Sequence, residues 1–99
     1  MAVKRNPRER SIEARLVARV EALGGVAEKV TTLGSRGFFD RLVLLPSGRV
    51  VFCECKRPKK AVVSAHQTHR HALYKKLGAE VAIILHQEDI EKLLALEKK

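Results

Sequence analysis

The stretch GFFDRLVLLPSGRVVFCECK, residues 37–56, decides the fold. Two runs rich in β-branched, aromatic and aliphatic residues, 39–45 and 49–56, flank Pro46-Ser47-Gly48. Such runs read as strands, and a tight Pro/Gly turn between them makes an antiparallel hairpin. A turn at 46–48 sets opposite each other residues whose numbers sum to about 94–95, which brings Asp40 beside Glu54. Side chains alternate along a strand with period two. Glu54 and Lys56 therefore share one face near the strand's end, and Val51, Cys53 and Cys55 share the other.

Upstream, Ser11 is a helix cap, and Ile12, Leu16, Val20 and Leu23 follow at helical spacing for about three turns. Gly24-Gly25 stops that helix, and 26–32 reads as a strand. Residues 33–37 form a loop with two glycines. Downstream, RPKK at 57–60 ends the hairpin's second strand. Ser64 with Gln67 three residues on gives a capping box for a helix running to Leu77, closed by Gly78. Residues 80–85 (EVAIIL) are nearly all apolar, as in a buried strand paired in parallel. Residues 87–96 form a last helix carrying Ile90, Leu93 and Leu94.

The order is α-β-β-β-α-β-α. The third strand, second helix and fourth strand make a βαβ crossover, which should be right-handed. The expected fold class is α/β, in the α+β sense: a small mixed sheet flanked by helices. At 99 residues this is one domain, with residues 1–8 as a flexible basic arm and 9–99 as the folded unit.

Composition narrows the class. The chain is 45% apolar and 31% charged, too apolar for a disordered tail and too charged for a membrane protein. No apolar run approaches the roughly 20 residues that span a bilayer. The basic N-terminus lacks the apolar segment of a secretory signal, so the cell interior, the cytoplasm, is expected. Cys53 and Cys55 lie about 6.6–6.8 Å apart along a strand with parallel side chains, a geometry that disfavours a disulfide. No ligand spacing pairs them with His66, His69, His71 or His86 into a zinc site, so they read as reduced, packed thiols.

The net charge is +9. From Arg41 to Ala79 one acid, Glu54, stands among nine Lys and Arg residues. A region that repels itself this way suits a polyanionic partner, and nucleic acid is the obvious one. Within it, two carboxylates side by side, Asp40 and Glu54, raise each other's pKa unless a divalent cation sits between them. Mg²⁺ takes one or two carboxylates together with waters and phosphate oxygens. Lys56 then aims a positive charge at the same spot, where it can orient a water or stabilise charge growing on phosphorus. An acid cluster neutralised by Lys56 and Arg41 is the plainer reading of the same residues.

The segments 37–45 and 48–56 resemble the VRR-NUC family, the virus-type replication-repair nucleases of the PD-(D/E)xK superfamily. The resemblance spans about residues 9–85 and implies a restriction-endonuclease-like core. It implies that Asp40 and Glu54 are metal-binding acids, that Lys56 is the catalytic lysine, and that the Cys55 main-chain carbonyl is a further ligand. Glu13 on the first helix matches an acid near the family's metal site, and Gln67 matches a glutamine that supports it. As residue types alone, Glu13 also suits a helix N-terminus and Gln67 a capping box. The family motif has proline before the aspartate, where this chain has Phe39; no catalytic group is lost by that change.

The expected function is a Mg²⁺- or Mn²⁺-dependent, structure-specific DNA endonuclease. The resemblance further implies Holliday-junction-resolvase-like activity as a homodimer on branched DNA, and leaves open a phage origin, acting in the host cell. Arg36, Arg41, Arg57, Lys59, Lys60, Arg70 and Lys75 are the candidate phosphate contacts, which position DNA without reading its sequence. His66 and His69 can share a helix face while His71 points elsewhere, and Tyr74 reads as packing. The apolar side of the last helix (Ile90, Leu93, Leu94, Leu96) or of the first could form a dimer interface or fill the core. The alternative function is a basic nucleic-acid-binding protein without catalysis; an inactive nuclease fold used in assembly is a third.

Overall fold

The computed structural model describes residues 9–30, 39–56 and 65–97. The elements are α1 (Glu9–Ala22), β1 (Val26–Lys29), β2 (Arg41–Leu44), β3 (Val50–Cys55), α2 (Ala65–Lys76), β4 (Glu80–Ile84) and α3 (Gln87–Ala95). That is the expected α-β-β-β-α-β-α order. Residues 1–8, the loop at 33–37, Ser64 and the RPKK segment lie outside the described residues.

The four strands form one sheet in the order β1-β2-β3-β4. β1 and β2, and β2 and β3, are antiparallel; β3 and β4 are parallel, so α2 is the crossover helix. Arg41 pairs with Cys53 and Leu44 with Val50; just before β2 the chain bends, and the Asp40 N–H also donates to Cys53 O at 3.0 Å, which keeps Asp40 beside the end of β3. The hairpin closes through Leu45 N–H donating to Arg49 O at 2.9 Å, with Gly48 at φ +93° in the turn. Few residues other than glycine hold that angle without strain.

Strand alternation sorts the sheet into two faces. Ala27, Val43, Val51, Cys53, Cys55 and Ile84 face Leu16 and Val20 of α1 and Ile90, Leu93 and Leu94 of α3, and together they make the core. α2 covers part of the other face, where Tyr74 meets Phe52 edge-on at 5.0 Å. Cys53 and Cys55 are buried free thiols, as expected. Burial pushes the Cys53 thiol up to about 12 and raises that of Cys55 as well, which keeps both protonated and inert.

Several boundaries and exposures differ from expectation. α1 begins at Glu9, so Ser11 lies inside its first turn and is not the cap. Glu9 and Arg10 are both good helix formers, and no breaker separates them from Ser11. β4 is not uniformly buried: it is a sheet edge, and Ile83 is 39% exposed while Ile84 is covered. Ile90, Leu93 and Leu94 are core residues and cannot meet a second copy; of the α3 apolar set only Leu96 is exposed. Leu16 and Val20 of α1 are likewise spent on the core. No helix among the described residues is long and apolar enough to cross a membrane.

Candidate active site

The site forms where β2 begins and β3 ends, on the face covered by α2. Asp40 immediately precedes β2. Its backbone N–H donates to Cys53 O at 3.0 Å, and its carbonyl accepts from Val30 N–H at 3.1 Å. Its carboxylate Oδ2 accepts the backbone N–H of Cys55 at 2.7 Å. The acid is thus pinned to both neighbouring strand segments at once.

Glu54 is only 2% exposed. Its Oε2 carries two contacts: the Gln67 side-chain amide donates to it from α2, and the Lys56 ammonium lies 3.3 Å away. Its other oxygen, Oε1, is buried with no hydrogen-bond partner among the described residues. Burial first, and the charge of Asp40 second, push the Glu54 carboxyl up to about 7, against the pull of Lys56 and Gln67. An orphaned carboxylate oxygen next to a second acid costs free energy that a divalent cation removes. The donor set (two carboxylates and a strand-end carbonyl, all oxygen) fits Mg²⁺ or Mn²⁺. Among the described residues no three His, Cys, Asp or Glu side chains cluster into a ready-made cage.

Phe39 and α2 hold up the floor of this site. Phe39 is 2% exposed. Its ring stacks on His71 at 4.8 Å and 13°, and tilts against Phe52 at 5.3 Å and Tyr74 at 5.4 Å. The residue that stands in the proline position is therefore an aromatic anchor just before Asp40. His71 is buried with Nε2 unpartnered among the described residues. Burial, with Lys75 and Lys56 nearby, pulls its pKa below the usual histidine value. The sequence reading missed this role for His71, although Gln67, His71 and Tyr74 recur at i, i+4, i+7, the spacing of one buried helix face.

Asp40, Glu54, Lys56, the Cys55 backbone and Gln67 come together. Glu13 and Arg41 pair with each other on the α1 side, Arg41 Nε donating to Glu13 Oε2 at 2.7 Å, and, after burial, the Glu13 charge, with those of Asp40 and Glu54, helps push up the Cys55 thiol. Arg41 also donates to Ala27 O at 3.0 Å, and its side chain is only 18% exposed. Lys75 is exposed on α2 and Arg70 is half-buried there. Arg36, Arg57, Lys59 and Lys60 lie outside the described residues.

No family model matches the chain. A curated phage protein, "Putative nuclease p44" of Acyrthosiphon pisum secondary endosymbiont phage 1, is 42% identical over 87 residues, covering 88% of this chain and 91% of that protein. A solved structure described as "VRR_NUC domain" superposes with a TM-score of 0.81 at 32% identity, covering 88% of this chain and 94% of the other.

Proposed function

The chain belongs to the VRR-NUC family of nucleases, and from that premise we propose that it is a divalent-cation-dependent endonuclease that hydrolyses phosphodiester bonds in branched DNA as a homodimer. In this reading residues 9–99 are the nuclease domain, and the protein acts in the cytoplasm. The observation that supports it most is the buried Glu54 Oε1, unpartnered among the described residues, beside Asp40 and within the reach of Lys56.

Asp40, Glu54 and the Cys55 carbonyl would hold Mg²⁺ or Mn²⁺. Such an ion, when bound, supplies a Lewis acid for a phosphate oxygen and makes a nearby water more acidic. The chain's own residues do the remainder. Lys56, 21% exposed and 3.3 Å from Glu54, is placed between bulk solvent and the acids. There it orients the attacking water and offsets the negative charge that develops on the phosphoryl oxygens. Gln67 holds Glu54 Oε2, which leaves Oε1 for the cation. Lys75, with Arg70, Arg36, Arg57, Lys59 and Lys60, binds the phosphate backbone.

The preference for branched DNA and the dimer follow from the family resemblance: two copies related by a twofold axis would cut two strands of a junction symmetrically. The test incubates the purified protein with labelled linear, flap, splayed and four-way DNA in Mg²⁺, Mn²⁺ or EDTA, with sedimentation of the free protein alongside. Cation-dependent cleavage of the four-way substrate by a dimer is the expected result. Salt-sensitive binding without cleavage in any metal overturns it in favour of a binding protein.

A further inference from the structure

We infer that the Phe39–His71 ring stack positions Asp40, so that one face of α2 holds both acids of the site: Glu54 through Gln67, and Asp40 through His71 and Phe39. This inference rests on the nuclease reading of Asp40 and Glu54, and it gives the aromatic residue in the proline position a role of its own.

Three observations carry it. First, strand pairing does not by itself aim Asp40. β2 begins at Arg41, and the chain bends at Asp40. Residues two apart in a regular strand share a face. Phe39 instead packs on His71 and Tyr74 of α2, while Arg41 reaches Glu13 of α1. The bend thus breaks the alternation, and the side on which residue 39 is gripped decides how the peptides around Asp40 turn. Second, that grip is close. Phe39 is 2% exposed, and its ring meets His71 at 4.8 Å and 13°, Phe52 at 5.3 Å and Tyr74 at 5.4 Å. Rings at such separations attract one another beyond simple burial, and a ring enclosed by three others cannot move without opening a void.

Third, the grip ends on the Asp40 carboxylate. The Asp40 N–H donates to Cys53 O at 3.0 Å and its carbonyl accepts from Val30 N–H at 3.1 Å, which locates its backbone. The ladder between β2 and β3 ends at Arg41 and Cys53, and beyond it the Cys55 N–H donates to Asp40 Oδ2 at 2.7 Å. That bond needs the carboxylate in one orientation, and the orientation follows from the bend that Phe39 anchors. Gln67 and His71 are four residues apart and share a helix face. The first donates to Glu54, and the second stacks on Phe39. Proline in the family motif fixes its own φ by ring closure; here packing on α2 fixes the same place, so the setting of Asp40 depends on α2 being docked. His71 Nε2 has no hydrogen-bond partner among the described residues, so a phenylalanine there loses no bond at that atom.

The experiment follows amide hydrogen exchange by nuclear magnetic resonance in EDTA, and Mn²⁺ binding by calorimetry. The proteins are wild type, Phe39→Ala, His71→Ala, His71→Phe and the double variant Phe39→Ala/His71→Ala, all at a temperature where each is folded. The Cys55 amide reports the bond to Asp40, and the amides of Val43 and Val51, which pair in the middle of the hairpin, report the sheet. Phe39→Ala and His71→Ala are expected to speed Cys55 exchange about tenfold relative to Val43 and Val51 and to weaken Mn²⁺ binding about tenfold. His71→Phe restores the stacked ring and should stay within about twofold of wild type in both readouts. The double variant should be no weaker than Phe39→Ala, as for residues that act as one unit. Cys55 exchange that tracks Val43 and Val51 in every variant overturns the inference, because the rings then support only the fold as a whole. Faster Cys55 exchange at unchanged Mn²⁺ affinity also overturns it, and so do losses that add in the double variant. If Phe39→Ala does not fold, His71→Ala against His71→Phe decides by the same two readouts. Wild-type protein that binds no Mn²⁺ removes the metal reading and this inference with it, whereas wild-type binding with Cys55 indifferent to both rings removes only this inference.

Discussion

Asp40 Oδ2 accepts the backbone N–H of Cys55 at 2.7 Å, so the acid at the start of β2 is fixed by the strand that carries the other acid. The next peptide donates its Lys56 N–H to Ile84 O at 3.0 Å, so its Cys55 carbonyl points the opposite way, to the side of Asp40, as a candidate ligand. Asp40→Asn keeps an acceptor for the Cys55 N–H but removes the charge. DNA cleavage in Mn²⁺ should fall at least about a thousandfold, an effect of the size seen when key charge stabilisation is lost. The melting temperature in EDTA should hold or rise, because repulsion with Glu54 is relieved. Asp40→Ala also orphans the Cys55 N–H at a cost of about 1–3 kcal/mol. That variant should melt several degrees lower than Asp40→Asn by circular dichroism.

Much of this arrangement was legible in the sequence, for a physical reason. A tight turn and strict period-two alternation leave few registers for a short hairpin, so the pairing of residues 41–44 with 50–53, which brings Asp40 near Glu54, followed from residues 46–48 alone. The alternation also separated Glu54 and Lys56 from the buried cysteines. What was not legible depends on contacts between distant elements. Glu13 and Arg41 lie 28 positions apart and meet only after α1 packs on the sheet. Ile90, Leu93 and Leu94 read equally well as core or interface until α3 is seen against α1. β4 is as apolar as an interior strand, and no local pattern tells an edge from the middle of a sheet.

Cation binding should be visible in stability without any DNA. A ligand that binds only the folded chain raises its stability by about 2.7 kcal/mol at a hundred times its dissociation constant. For a domain of this size that is a rise of roughly ten degrees or more. Differential scanning fluorimetry in Mn²⁺ against EDTA should show that rise for the wild-type protein and none for Glu54→Gln. An equal response in both proteins means the ion binds elsewhere.

Gln67 contributes through Glu54. Gln67→Leu keeps the bulk of the side chain but removes the donor to Glu54 Oε2. Loss of such an outer contact typically weakens a metal site 10–100-fold. Mn²⁺ affinity should fall by that factor, and cleavage should recover when Mn²⁺ is raised in proportion. Activity that stays low at saturating Mn²⁺ points instead to a direct contact between Gln67 and DNA.

His71 predicts a pH dependence of stability. Its burial, with Lys75 and Lys56 close by, lowers its pKa from the ordinary 6.5 in the folded chain. Above that value both states are neutral at this residue, and it adds no pH dependence. As pH falls below 6.5, the unfolded chain takes up a proton that the folded chain resists, so stability declines until the folded pKa is reached. His71→Phe keeps an aromatic ring against Phe39 and should flatten the urea midpoint between pH 7 and pH 5 relative to wild type. Curves that stay parallel over that range assign the acid sensitivity to other groups.

Arg49 separates the stability of the fold from the chemistry of the site. It stands just before β3, five residues from Glu54, which in extended chain is about 17 Å. Its guanidinium donates to both carboxylate oxygens of Glu80 at 2.8 and 2.5 Å, to Leu93 O at 2.9 Å and to Glu97 at 3.3 Å. One side chain thus ties β3 to the start of β4 and the last turn of α3, the two elements added after the crossover. The Glu80 side chain is 39% exposed, so solvent screens much of the attraction. The part-buried Leu93 carbonyl and the fork geometry are what remain valuable. Arg49→Leu should therefore lower stability by about 1–2 kcal/mol, read as a lower urea midpoint at unchanged slope. Mn²⁺ affinity and cleavage rate at a temperature where the variant is folded should match wild type. Arg49→Lys should recover only part of the loss, because an ammonium cannot donate in a planar fork. A drop in cleavage that exceeds the unfolded fraction means that strain at the hairpin end of β3 reaches Glu54, and that the sheet is less rigid along its strands than its register implies.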